Sequence, residues 1–121
     1  MFNVPWYYKT ISIDIGGAKG RYYRYKNIIG VPDAVFKHCL LPIYIVGELK
    51  GRSVINEHMR QYEFGQLMLY IGMLKNIHWL SSVKGRLAYK NSIIYVNFDP
   101  VIFKDITSKK KNALKILNRF H

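Results

Sequence analysis

The sequence predicts an α/β domain built on a mixed β-sheet, and three observations predict it. Short apolar runs with strand-like alternation come first, one long helical segment interrupts them, and further strands and a second helix follow. At 121 residues the chain supports one hydrophobic core, so residues 1–121 are read as one domain. Half of the residues are apolar and 15% are aromatic, the composition of a folded chain rather than a disordered tail.

The elements follow in order. Lys9 to Ile15 alternates weakly and reads as a short strand that stops at Gly16-Gly17. Arg21 to Ile29 is rich in tyrosine and reads as a strand with one solvated, basic face. Gly30-Val31-Pro32 is punctuation, because proline lacks the donor that a central strand would use. Asp33 to Lys37 resumes as a strand, His38 to Pro42 turns, and Ile43-Tyr44-Ile45-Val46 is an apolar run typical of a buried strand. Asn56 is placed to cap a helix running to about Lys75. Its Met59, Tyr62, Leu67, Leu69, Tyr70, Met73 and Leu74 cover much of the circumference and predict a largely buried helix. Ile77 to Val83, Arg86 to Tyr89 and Ile93 to Phe98 read as strands, with turns at Lys84-Gly85 and Asn91-Ser92. Asp99-Pro100 opens a last, basic amphipathic helix, proline being tolerated in the first turn.

Charge narrows the partners. Nineteen Lys and Arg against seven Asp and Glu leave a net charge of +12, which points to a polyanion, most commonly nucleic acid. A merely basic, ribosomal-type protein is the bland alternative on charge alone. No stretch reaches the roughly 18 uncharged apolar residues of a membrane span, so no membrane partner is expected. The first residues lack a long apolar run before a cleavage site, so the expected address is cytoplasmic, or the host cytoplasm for a viral or plasmid chain. Cys39 is the only cysteine, which excludes an intramolecular disulfide or an all-cysteine metal site within one chain.

The scarcity of acids makes their positions informative. Asp33 and Glu48 border two apolar strand-like runs, and Lys50 lies two residues beyond Glu48. Residues two apart on a strand share a face, so Glu48 and Lys50 project together. If the two strands pair, the three charged groups converge. Two carboxylates and a backbone carbonyl, here that of Leu49, suit Mg²⁺, a hard cation that prefers oxygen, and Mn²⁺ can substitute. Lys50 would orient a water or offset charge growing on a phosphate. A Pro-Asp pair alone is commonly a turn, and Glu-x-Lys alone is commonly a surface ion pair. The conjunction is more specific than either part.

Here the chain resembles a known family. Asp33 and Glu48-Leu49-Lys50, with the apolar run ahead of them, match the PD-(D/E)XK nuclease signature. Gln66-Leu67-Met68-Leu69-Tyr70 is similar to the Gln-x-x-x-Tyr motif of the RecB-like branch, which includes the CRISPR-associated RecB-like exonucleases. The resemblance covers roughly Ile28 to Phe98. It implies a restriction-endonuclease-like core, a mixed central sheet flanked by helices, and a Mg²⁺-dependent deoxyribonuclease. It also implies that Asp33, Glu48 and the Leu49 carbonyl bind metal, that Lys50 is catalytic, and that Gln66 and Tyr70 face the site and the DNA. Those two are four apart and so share a helix face. Two departures stand out. Family members commonly carry an upstream acidic or histidine ligand on an N-terminal helix, where this chain holds only Asp14, and the iron–sulfur cysteines of the CRISPR-associated members are absent.

The implied function is hydrolysis of phosphodiester bonds in single-stranded or branched DNA, as an exonuclease or an endonuclease. The alternatives are a structure-specific endonuclease of the Holliday-junction resolvase type and a non-catalytic nucleic-acid-binding protein that keeps the fold. Other signals are weaker. Gly16-Gly17-Ala18-Lys19-Gly20 lacks the spacing and ending of a nucleotide-binding loop and reads as a flexible, basic strand connection. His38, His58 and His78 show no metal-ligand spacing and read as surface or packing histidines. Glu57 and Glu63 lie near the site end of the long helix and read first as solvated charges, the alternative being a contact to the metal ligands or to a second metal. The charges of the last helix do not choose between phosphate contact, docking on the sheet and homodimerisation.

Overall fold

The structure, a computed structural model, describes residues 2–51, 53 and 57–119, with side chains for 2–51, 53 and 60–109. The elements in chain order are β1 (Tyr8–Ile13), β2 (Tyr23–Tyr25), β3 (Ile28–Gly30), β4 (Ala34–His38), β5 (Ile43–Leu49), α1 (Glu57–Ile77), β6 (Ser82–Ala88), β7 (Ile93–Asn97) and α2 (Pro100–Arg119). Five strands form one sheet in the order β1-β4-β5-β6-β7, and β2 with β3 forms a separate hairpin. The main sheet is mixed. Only β5 and β6 run parallel, because α1 carries the chain back to the starting edge; short turns join β4 to β5 and β6 to β7, and the segment with the β2–β3 hairpin joins β1 to β4.

Alternation along the strands builds two apolar layers. Val35, Val46 and Leu87 face α1 and pack with its Leu67, Met68, Ile71 and Leu74. Ala34, Phe36, Leu49, Ala88 and Ile93 face the other way, where Phe2 and Val4 of the N-terminal segment pack against them. The sequence reading expected helices on both sides. In the structure α2 packs on α1, and the second face takes the N-terminal segment. Two glycines permit these close approaches. The Phe103 ring of α2 lies where a Cβ of Gly72 would be, and the Phe2 ring comes within 2.8 Å of the same position at Gly47.

Four local expectations need correction. Arg21 to Ile29 is a hairpin rather than one strand, turning at Lys26, whose φ of 54° is unusual for a residue other than glycine. Lys84-Gly85 is the middle of β6, not a turn: a Cβ on Gly85 would meet the Ile71 side chain at 2.6 Å, so the glycine admits α1. Ile77 ends α1, so the strand expected from Ile77 begins only at Ser82. Tyr62, expected on the buried surface of α1, is exposed, whereas Leu67, Leu69, Met73 and Leu74 are buried as expected. The cap expected at Asn56 and the Met59 side chain lie outside the described residues, as does the amphipathic pattern beyond Lys109. Asp99 does cap α2, its Oδ1 accepting from the amides of Val101 and Ile102 at 2.9 and 3.2 Å.

The two ends of the sheet differ in chemistry. At one end Asp33 precedes β4 and Glu48 closes β5. At the other, Cys39 N donates to Tyr7 O and Ser82 N to Pro42 O, bringing together the segments that carry Trp6, Leu40, Leu41, Trp79 and Leu80. All five are exposed, Trp6 to 91% and Trp79 to 71%. Among the described residues no helix is long and apolar enough to cross a membrane.

Candidate active site

The sheet register assembles the carboxylates. β4 and β5 pair with Ala34 opposite Gly47, so continuing by one residue sets Asp33 opposite Glu48. β1 pairs Ile13 with Ala34, and Asp14 N donates to Asp33 O at 2.8 Å, which sets Asp14 on the other side of Asp33. Directly opposed residues project to one face, so three acids form a row across three strands. That face is the one α1 covers, since Glu48 lies two residues beyond Val46.

Reciprocal hydrogen bonds lock the central pair. Asp33 N donates to Glu48 Oε1 at 3.0 Å, and Leu49 N donates to Asp33 Oδ2 at 2.7 Å. Glu48 is 4% exposed, and its pKa is raised from 4.5 to about 7. Burial contributes most to that rise, followed by the negative charge of Asp33. With both carboxylates held this close, a proton on Glu48 relieves their repulsion. A divalent cation is the other means of holding two such groups together.

Lys50 and α1 complete the arrangement. Lys50 Nζ donates to Gln66 Oε1 at 3.0 Å and lies 3.7 Å from Glu63 Oε2. Tyr70 lies one turn beyond Gln66 on α1, so Lys50 and these two residues gather at one helix face. The Tyr70 pKa is raised, by burial first and then by the charges of Glu48 and Asp33, so its hydroxyl stays protonated. Its ring fills the space that a Cβ on Gly30 would need, so the hairpin fixes Tyr70 from that side.

Asp33, Glu48, Lys50, Gln66 and Tyr70 are therefore brought together, and the structure adds two acids. Glu63 was expected to be solvated but is 3% exposed beside Lys50. Its spacing of three and seven from Gln66 and Tyr70 placed it on their helix face and was the available signal. Asp14, the one acid of the N-terminal segment, accepts from Gly20 N at 3.0 Å beside Asp33. The Glu57 side chain lies outside the described residues.

The remaining candidates have structural roles. Gly16 and Gly17 turn the chain with φ of 63° and 90°, values that glycine adopts without strain. His38 Nδ1 accepts from the amides of Leu40 and Leu41, both at 3.0 Å, and closes the turn before β5. His78 stacks on Tyr44, and burial lowers its pKa. The His58 side chain lies outside the described residues.

The donor set fits a hard divalent ion. Among the described residues no three His, Cys, Asp or Glu side chains are grouped as a ready ligand set. Mg²⁺ does not need one, because it commonly binds through one or two carboxylates and keeps several waters. Comparison with protein-family models, curated proteins and solved structures gives no match.

Proposed function

We propose that this chain is a Mg²⁺-dependent DNA nuclease with a restriction-endonuclease-like core. The observation that carries the reading is the Asp33–Glu48 pair, a half-buried and a buried acid locked by reciprocal amide hydrogen bonds, with Lys50 two residues further on and tied to α1. A structural role accounts poorly for it. Two acids packed against each other in a chain this basic destabilise the fold unless a proton or cation lies between them.

Asp33, Glu48 and the Leu49 carbonyl would hold Mg²⁺. When bound, the ion supplies charge neutralisation at the phosphate and lowers the pKa of a coordinated water. The chain's own groups do the rest. Gln66 holds the Lys50 ammonium toward the carboxylates, where its positive charge opposes the negative charge that grows on a phosphate under attack. The protonated Tyr70 hydroxyl is a donor at the same edge, suited to positioning a phosphate oxygen. Glu48 keeps its proton below about pH 7, so the dianionic pair is available chiefly above that value.

Labelled single-stranded, duplex and four-way-junction DNA, each incubated with and without Mg²⁺ or Mn²⁺, tests the proposal. Metal-dependent cleavage is expected from the parent and not from Asp33→Ala or Glu48→Ala. Folded Asp33→Ala and Glu48→Ala proteins that cleave as fast as the parent would overturn it.

A further inference from the structure

We infer that the β2–β3 hairpin is a binding platform for a single DNA strand, with Tyr22 as a base-stacking residue and Arg21, Arg24 and Lys26 as phosphate contacts. This rests on the reading of the adjacent carboxylates as a nuclease centre, and it names the form of substrate that the centre receives.

The hairpin has two faces of opposite character. Tyr23, Tyr25 and Ile28 point inward and pack against the core, and Gly30 meets Tyr70. By the alternation of a strand, Tyr22 and Arg24 point outward, and Ile29 joins them because it pairs with Arg24. Tyr22 is 69% exposed and Ile29 54%. An inward tyrosine needs no explanation beyond packing. An outward tyrosine between two arginines, at the edge of a carboxylate site, does.

Charge points the same way. From Ile15 to Pro32 the chain holds Lys19, Arg21, Arg24 and Lys26 and no acid. Among the described residues none of the four is in an ion pair. Position completes the case. Arg21 N donates to Ser12 Oγ at 2.7 Å, and Gly20 N reaches Asp14 Oδ1, so the basic segment starts directly beside the row of acids. A Cβ on Gly20 would lie 2.8 Å from Asp14 Cβ, which shows how closely the backbone passes. A phosphate chain approaching Asp33 and Glu48 is repelled by them, and cations on a segment that starts beside Asp14 offset that repulsion. An exposed tyrosine among cations selects an unpaired base, because stacking needs an open π-face that a duplex hides.

The test is binding without cleavage, in EDTA. The probe is a fluorescent oligothymidylate of about 12 nucleotides, within the usual span of a small single-strand site, beside a duplex of equal length. Tyr22→Ala should weaken single-strand binding about 5- to 150-fold, the loss of one stack, and duplex binding less than about twofold. Tyr22→Trp should restore it. The Arg21→Gln/Arg24→Gln/Lys26→Gln variant should lower the slope of log affinity against log salt by about 2, at roughly 0.7 per charge. The inference is overturned if the parent fails to bind the strand or if Tyr22→Ala binds it within twofold of the parent. An equal loss on strand and duplex, or an unchanged salt slope, overturns it too. These results are separable from cleavage. Hairpin variants that lose binding in a protein with no nuclease activity would leave the platform standing and remove the nuclease. Metal-dependent cleavage with unchanged hairpin binding would do the reverse.

Discussion

Replacing Glu48 by glutamine tests the central geometry without any substrate. Glutamine keeps an oxygen to accept from Asp33 N and is neutral, as Glu48 is when it carries its proton. Because the folded-state pKa of about 7 lies above the ordinary 4.5, the folded protein binds that proton more tightly than the unfolded chain. The stability that this proton contributes is complete below about pH 4.5 and is lost as pH rises through about 7. At roughly 1.4 kcal/mol per pH unit, the rise corresponds to about 3 kcal/mol. Glu48→Gln does not titrate. In EDTA its stability relative to the parent should therefore increase by about 3 kcal/mol between pH 4.5 and pH 8, read by urea denaturation at each pH. The comparison cancels the carboxylates remote from Glu48, which both proteins share. Saturating Mg²⁺ at pH 8 should stabilise the parent and leave the variant nearly unmoved. A mutant-minus-parent difference that stays flat with pH would refute the reasoning, since Glu48 would then titrate as an ordinary exposed acid.

Other outcomes follow from the same contacts. Asp33→Ala should abolish cleavage and keep or strengthen DNA binding in EDTA, because a negative charge facing phosphate is removed; anisotropy titration reads this. Gly30→Ala should displace the Tyr70 ring and lower both the melting temperature and cleavage, at a stability cost of about 1–3 kcal/mol. Tyr70→Phe, which keeps the ring, should lower cleavage alone. Gly72→Ala should cost a similar amount by pushing Phe103 and α2 away from α1, with the unfolding slope against urea unchanged.

Much of this was legible in the sequence, for identifiable reasons. Ile43 to Val46 is an uninterrupted apolar run, and a central strand buried on both faces produces that pattern. The spacing of Glu48 and Lys50 followed from the period of two, and that of Gln66 and Tyr70 from the helical turn. What stayed hidden was set by distant contacts. Gly85 looks like a turn residue because local sequence cannot show that Ile71 and Leu67 occupy the space a side chain would need. The hairpin turn at Lys26 carries no glycine to announce its positive φ. Ile77, Trp79 and Leu80 suggested a strand because they are apolar, yet Ile77 ends α1, β6 begins only at Ser82, and all three are exposed. Asp14 stood as a lone acid until the pairing of β1 with β4 set it beside Asp33.

The apolar end of the sheet has an optical consequence. The chain has two tryptophans, Trp6 and Trp79, and both are largely exposed at the end away from the carboxylates. Their emission should already be that of indole in water in the native state and should shift little toward red on unfolding. Mg²⁺ arriving beside Glu48 should leave it unquenched. Emission measured with excitation selective for indole is therefore insensitive to the site and to the melting of the core. The ultraviolet absorbance of tyrosine, with Tyr70 beside the acids and Tyr23 and Tyr25 against α1, is the signal that should respond to both.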